Sequence, residues 1–352
     1  MNRLEFENLH KLALSGDPQN TALVKTILDG LDITEEQFFN HWGLSSFKIY
    51  SFEGLKNVLK NGLNAYNSGV QNLSPLANFN RLQSAYLGGN KLKSLETLPY
   101  LPRLETLEIS KNPLTSLSGI ERAPSLKSII AQYTELENIT PISALERLET
   151  VNFYQSHIRD FSPLQNSPQL QGLAINNCQE VILSSLENLP IKQLNYSEIK
   201  DFYPSKLPPL PNLTSLDLCN NFITKVENLE QYKNLRSLSL TGNFIRDLSG
   251  INGVENLTYL HASNCDIESL EGIAHDKISF INLSSNRIKD LTPLQNIKNL
   301  ENVHLSGNLY ELDLTPLYKC EKLTHIKLDN YTSPQAKALQ KYKPNCQVSN
   351  SY

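Results

Sequence analysis

Leucine or isoleucine opens a new unit at regular steps through most of the chain: Leu82, Leu104, Leu126, Leu148, Leu170, Ile191, Leu213, Leu235, Leu257, Ile278, Leu300 and Leu323. The step is 22 residues, except 21 into Ile191 and Ile278 and 23 into Leu323. In Leu235-Arg-Ser-Leu238-Ser-Leu240-Thr-Gly-Asn243 the apolar residues two apart face inward and those between face out. That alternation is the mark of a half-buried strand. So short a unit buries its apolar side only by stacking on its neighbours, which predicts a solenoid and overrides the two or three domains that length alone would suggest.

The rest of each unit follows from turn chemistry. The ninth position is Asn in Asn90, Asn112, Asn221, Asn243, Asn286 and Asn308. An amide there is expected to bond backbone groups of adjacent rungs that burial would otherwise leave unpaired. Thr134, Ser156, Cys178 and Cys265 take this slot in other units and are expected to do part of the work. On the return leg, Ser74-Pro75, Thr140-Pro141, Ser162-Pro163, Thr292-Pro293 and Thr315-Pro316 predict one 3₁₀ turn each, opened by a hydroxyl cap. Gly119, Gly250 and Gly272 hold the corresponding place elsewhere. The unit from Ile191 to Asn212 departs most, with Ile199 in the ninth position and Pro204, Pro208, Pro209 and Pro211 in its return. A tolerated loop variation is the expectation there, against a binding protrusion or a local bend.

Outside the regular series the pattern changes. Residues 1–43 predict a helical amino-terminal cap. Leu4, Leu9, Leu12 and Leu14 suggest a first amphipathic helix; Asp17-Pro18 opens a second that Gly30 stops; Thr34 with Gln37 forms a capping box for a third. Leu44, Phe47 and Ile49 resemble a strand, returning through Phe52, Leu55 and Val58, and a second irregular rung runs from Lys60 through Leu63 to Phe79. The repeat region is thus taken as residues 44–331, about thirteen rungs, with a carboxy-terminal cap at 332–352: a helix from Ser333-Pro334 and a short strand at Cys346 to Val348.

The unit LxxLxLxxNxIxxLxxLxxLxx, as in Leu213 to Asn234 and Leu235 to Asn256, resembles the SDS22-like class of leucine-rich repeat proteins, which includes bacterial internalins and a eukaryotic regulator of protein phosphatase-1. The ending around Ala336 to Gln340 and Pro344-Asn345-Cys346 is similar to that of bacterial members. The resemblance covers roughly residues 44–331. It implies an α/β fold: a right-handed, curved leucine-rich repeat solenoid with a concave parallel β-sheet, 3₁₀ turns on the convex side, a helical amino-terminal cap and a helix–strand carboxy-terminal cap. It also implies that the concave sheet is the recognition face.

Register then names the residues of that face. Tyr86, Ile130, Tyr133, Asn152 and Tyr154 project from the first four regular units, and Tyr259, His261, Phe280, His304 and His325 from the last four; Asn195 and Asp217 lie in the more neutral stretch between. At ~4.8 Å per strand, twelve rungs offer a surface on the order of 50 Å long. Exposed aromatic side chains on a rigid sheet are good anchors for a protein partner.

Composition narrows the alternatives. Net charge is −4, from 32 basic and 36 acidic residues. No field favours nucleic acid or anionic lipid, so neither is expected as a partner. Five cysteines without close pairing do not make a disulfide framework; Cys178, Cys265 and Cys320 read as buried thiols, and Cys219 points to the sheet face. The first residues lack the pattern of a secretory signal, and no stretch reaches the ~20 apolar residues of a membrane helix. A cytoplasmic location is expected, with signal-less export left open. No GxxxxGK[ST], HExxH, CxxC or GxSxG motif occurs, so no enzyme, cofactor or metal is expected. His304 and His325, on neighbouring rungs beside Asp329, are the nearest approach to a metal set, and Glu198 with Asp217 the nearest carboxylate pair. The reading is a monomeric, non-enzymatic scaffold that holds a partner protein. Its alternatives are a phosphatase regulator of SDS22 type, or a translocated bacterial effector or inhibitor acting by binding.

Overall fold

The computed structural model describes residues 3–42, 44–49, 55, 62–200, 202–271, 273, 275–308 and 312–350. Phe52, Val58, Lys60 and Gly272, named above, lie outside the described residues. Backbone proximity divides the chain into two compact units, Met1–Leu170 and Gln171–Tyr352.

Unit 1 opens with three helices, α1 (Arg3–Leu14), α2 (Pro18–Gly30) and α3 (Glu35–His41). Asp17 caps α2 by accepting from the Gln19 N–H at 2.8 Å. The Thr34 hydroxyl accepts from the Gln37 N–H at 3.1 Å while the Gln37 side chain accepts from the Thr34 N–H at 2.8 Å, the reciprocal box expected. Two expectations are corrected. Gly30 does not stop α2 but is its last residue, and the left-handed position that follows is Asp32 at φ 52°. Leu44–Phe47 is a 3₁₀ turn, not a strand, although Leu44, Phe47 and Ile49 are buried as a rung would require. Apolar spacing here reported burial rather than backbone type. Five parallel strands follow, β1 (Leu63–Asn64), β2 (Ser84–Tyr86), β3 (Thr106–Glu108), β4 (Ser128–Ile130) and β5 (Thr150–Asn152), each paired with the next in the chain.

Unit 2 repeats this plan in β6 (Gly172–Ala174), β7 (Gln193–Asn195), β8 (Ser215–Asp217), β9 (Ser237–Ser239), β10 (Tyr259–His261), β11 (Phe280–Asn282), β12 (Asn302–His304) and β13 (His325–Lys327). It closes with α4 (Pro334–Tyr342), capped by the Ser333 hydroxyl, and β14 (Gln347–Ser349), which pairs with β13. Every strand pair is parallel and joins sequence neighbours. The middle residue of each strand from β7 to β13 is apolar and points into the core: Leu194, Leu216, Leu238, Leu260, Ile281, Val303 and Ile326 are at most 1% exposed.

The asparagine ladder is formed. Asn243 Nδ2 donates to the carbonyls of Leu218 (2.9 Å) and Leu240 (2.6 Å), while Oδ1 accepts from the N–H groups of Asn221 (3.0 Å) and Ile223 (2.9 Å). One side chain thus ties its own rung to the one before it. Asn90, Asn112, Asn286 and Asn308 do the same. Substitutes do less, as expected: Thr134 donates to Ala131 alone among these groups, and the Cys265 thiol approaches the Leu240 carbonyl at 3.0 Å. The residue before the ladder is left-handed in eleven units, from Gly89 (φ 67°) through Lys111 (54°) and Tyr133 (53°) to Gly307 (73°). That twist turns the ninth side chain inward, and the leucine spacing gave no sign of it.

The return legs are 3₁₀ turns at Ser74–Asn78, Thr140–Ala144, Ser162–Asn166, Thr292–Asn296 and Thr315–Lys319. Their caps are not the hydroxyls expected. The N–H of Ser74, Thr140, Ser162, Thr292 and Thr315 instead donates to Asn72, Asn138, Asp160, Asp290 and Asp313, two residues earlier, at 2.8–2.9 Å. The working signature is therefore Asx-x-Ser/Thr-Pro, an Asx turn leading into the 3₁₀ helix. The Thr292 hydroxyl and then its N–H hold the Asp290 carboxyl below the usual range, and the Thr315 N–H and then its hydroxyl do the same for Asp313. Asp290→Ala is expected to cost about 1 kcal/mol in urea unfolding, as loss of a cap does. Where glycine replaces the Ser/Thr-Pro pair, the chain passes close to its predecessor: a Cβ on Gly250 would stand 1.6 Å from the Val226 carbonyl oxygen.

The irregular return at 204–211 packs rather than protrudes as a whole, since Pro204, Leu207 and Leu210 are buried and Tyr232 Oη donates to the Pro208 carbonyl at 3.0 Å. Its exposed element is Tyr203, with the Lys206 ammonium 5.0 Å from the ring centre.

Candidate functional site

Outward-facing positions of the strands are the surface that the repeat does not consume. In unit 1 the register aligns Tyr86, Glu108, Ile130 and Asn152 in one row across β2–β5. Tyr86 is exposed; Ile130 and Asn152 are half-buried neighbours. Asn152 Oδ1 accepts from the Tyr154 N–H at 3.1 Å, so it already shapes the end of its own strand. Tyr133 and Tyr154 meet edge to face at 5.0 Å, and Lys111 Nζ lies 5.6 Å from the Tyr133 ring centre. Tyr133 belongs to the left-handed column, so this pair sits where the strands end. Two rungs, roughly 10 Å, separate Tyr86 from Ile130.

Unit 2 gathers more. Tyr259 and Phe280 are register partners on β10 and β11, with ring centres 6.3 Å apart. Phe280 also touches His261 at 4.8 Å and meets His304 edge-on at 5.0 Å. Three strands thus build one aromatic–imidazole array with Phe280 at its centre. Burial lowers the His261 pKa against the opposing pull of Asp217. Burial lowers that of His304 as well, reinforced by Lys327 and His261. Both rings are therefore biased towards the neutral form and present apolar faces with one N–H each.

His325 stands apart. It is exposed, its Nδ1 is 2.8 Å from the Thr324 hydroxyl, and its register partner is Asn302, whereas that of His304 is Lys327. Asp329 accepts from the Gly307 N–H at 2.6 Å. Among the described residues no three His, Cys, Asp or Glu side chains are grouped to hold a metal ion. Asn195 and Asp217 are register partners; Asp217 Oδ1 accepts from the Cys219 N–H at 2.9 Å. The Cys219 thiol is 2.9 Å from the Ser239 hydroxyl and its pKa is pushed up to about 12, first by burial and then by its bond with Asp217. A thiol so protonated is a poor nucleophile. Cys178, Cys265 and Cys320 are buried as the repeat position implied, and so is Cys346.

One pair was missed. Phe222 and Phe244 are 56% and 48% exposed, with centres 5.8 Å apart. Both hold the tenth position of successive units, just past the ladder. Their signal lies in the repeat register, at a position outside the face read from the sequence.

A family model described as "Leucine Rich repeats (2 copies)" matches residues 211–253. The chain has the leucine-rich repeat fold. No curated protein matches it at a significant level. Among solved structures, an internalin (InlF) of Listeria monocytogenes aligns with a TM-score of 0.66 at 22% identity, over 91% of this chain and 96% of that one. The functional domain of InlJ from the same species, described as including a cysteine ladder, aligns with a TM-score of 0.52 at 17% identity, over 82% and 75%. The leucine-rich repeat domain of APL1 gives 0.54 at 19%, over 82% and 79%. At these identities the leucine-rich repeat chain shares the fold of its neighbours. No helix among its described residues is long and apolar enough to cross a membrane.

Proposed function

We propose that this leucine-rich repeat protein is a non-enzymatic scaffold that binds a partner protein on its strand face. The observation that carries the reading is the Phe280 array: four rings, from Tyr259, His261, Phe280 and His304, held by neighbouring strands, with Tyr259 exposed and the other three half-buried. Rings fixed in this way lose little conformational entropy when covered, and such anchors dominate interface energies. In unit 1 the Tyr133–Tyr154 pair with Lys111 supplies a second, smaller anchor. Tyr86, Ile130, Asn152, Asn195, Asp217 and His325 would contribute around these centres. The 22-residue unit and its 3₁₀ return support membership of the SDS22-like class. Five free thiols, four of them buried, suit a reducing cytoplasm, and a net charge of −4 argues against a phosphate-tracking surface.

Affinity purification from the source cells, with the parent beside Phe280→Ala and Tyr154→Ala, tests the reading. Proteins held by the parent should be depleted on Phe280→Ala, and a captured partner, once purified, should bind that variant roughly 30-fold more weakly, the loss of a 2 kcal/mol hot spot. Thermal stability should stay near the parent's. If both variants retain the same proteins with the same affinity, the strand-face reading is wrong. A metal-dependent phosphatase among the depleted proteins would give it the form of a regulatory subunit.

A further inference from the structure

The amino-terminal helices enclose an imidazole that the scaffold role does not use. His10 lies on α1 between the buried Leu9 and the buried Ala13 side of the helix and is itself only 2% exposed. Its ring stacks on Trp42 with centres 4.1 Å apart and planes 2° from parallel, and it meets Phe38 edge-on at 6.1 Å. His10 Nε2 is buried without a hydrogen-bond partner among the described residues. His41 also meets the Trp42 ring edge-on at 5.1 Å. Two imidazoles therefore border one indole, and the inner one is closed off by rings.

We propose that the three-helix cap is an acid-sensitive end plate: protonation of His10 breaks the His10–Trp42–Phe38 stack and frees α1–α3, while the stacked strands behind them stay folded. A neutral ring tolerates a nitrogen without a partner far better than an imidazolium does, because the charged ring carries two N–H donors and has lost its water. Among the described side chains, the titratable groups of the packed elements are Glu7 and Lys11 on α1, Asp17, Lys25, Asp29 and Asp32 beside or on α2, Glu35, Glu36 and His41 on α3, and Lys48 after the 3₁₀ turn. Lys25 is bonded to Glu35 at 3.0 Å and Lys48 donates to the Tyr66 carbonyl at 2.6 Å. His41 acts on His10 directly, and with the wrong sign to stabilise a second charge. Burial first and His41 second lower the His10 pKa from 6.5 to about 4. A group whose folded pKa is depressed by keeping its neutral form favours the docked state fully above pH 6.5, and that preference drains away as pH falls towards 4. Solenoids allow such a local loss, since each element depends on its nearest neighbours.

Trp42 is the sole tryptophan of the chain, so its emission maximum reports on this stack alone. Acidifying the full-length protein from pH 7 to pH 4 should shift that maximum to the red, with a midpoint between the two His10 values of 4 and 6.5. Hydrogen exchange should show lost protection in α1–α3 and retained protection in β3–β13. His10→Phe should keep the emission unshifted over the same range. The proposal is overturned by an emission maximum that does not move in the parent, by the same red shift in His10→Phe, or by strands that lose protection together with the helices. Should His10→Phe not fold, the NMR titration of the His10 ring in the parent decides. A ring that gains its proton along with the emission shift supports the end plate, and one that titrates near 6.5 with Trp42 undisturbed refutes it.

Discussion

Replacing Asn243 with leucine is expected to destabilise unit 2 by on the order of 4–6 kcal/mol, although leucine matches the volume and suits the surrounding core. Asn243 is 2% exposed and its four hydrogen bonds engage backbone groups at Leu218, Asn221, Ile223 and Leu240. An apolar side chain leaves these donors and acceptors without their bonds in a place water does not reach, and each orphaned group costs about 1–3 kcal/mol. Asn243→Thr should fall between, because the natural Thr134 shows what a hydroxyl achieves in this slot: one donation, to the Ala131 carbonyl at 2.9 Å. Urea unfolding followed by circular dichroism measures the total. Hydrogen exchange locates it, with β8 and β9 losing protection first. A cost under about 1 kcal/mol for Asn243→Leu would mean the ladder decorates the stack without holding it.

This asparagine shows what the sequence does and does not disclose. Its place in the repeat, its burial and its bonding to the previous rung follow from a period of 22 and from the rule that buried backbone groups must be paired. What makes the inward turn possible, a left-handed residue at the eighth position, does not follow, because Lys111, Tyr133, Gln155 and Glu198 are not residues that announce such a φ. They take it because the strands stacked on either side impose it, a tertiary effect that local preference cannot foretell. The Asx caps were hidden for the opposite reason. Asn72, Asn138, Asp160, Asp290 and Asp313 are plain in the sequence, but the Ser/Thr-Pro pair two residues on accounts for the turn by itself and masks them.

The strand face was legible to a different depth. Register put Tyr259 beside Phe280 and Asn195 beside Asp217, and the structure pairs them. Diagonal contacts depend on side-chain direction as well as register: Phe280 leans on both His261 and His304, whereas His325, nearer to His304 in the chain than His261 is, joins neither. Position in a repeat therefore selects the face, and rotamers select the cluster. The amino-terminal cap lies outside the repeat, so no register could bring His10 to Trp42 across 32 residues of helix and turn.

Leu238→Ala should cost roughly 2–5 kcal/mol, the range for emptying a buried leucine site. Leu238 is fully buried in the middle of β9 and is the register partner of Leu216 and Leu260, so the cavity would open inside a continuous column. Collapse is restricted, because closing the gap would require two rungs to shift against ladders pinned by Asn221 and Asn243. The loss should also be local: exchange protection falls most in β8–β10 and recovers towards β13, as nearest-neighbour stability demands. Phe280→Ala provides the contrast. Its ring is half-buried on the outer face, so removing it should cost less than about 1 kcal/mol of stability while weakening partner binding roughly 30-fold. The two substitutions should thus separate: one weakens the stack and spares the face, the other spares the stack and empties the face. If Phe280→Ala proves as destabilising as Leu238→Ala, the aromatic array is a piece of the core reaching the surface, and its role in recognition loses its physical basis.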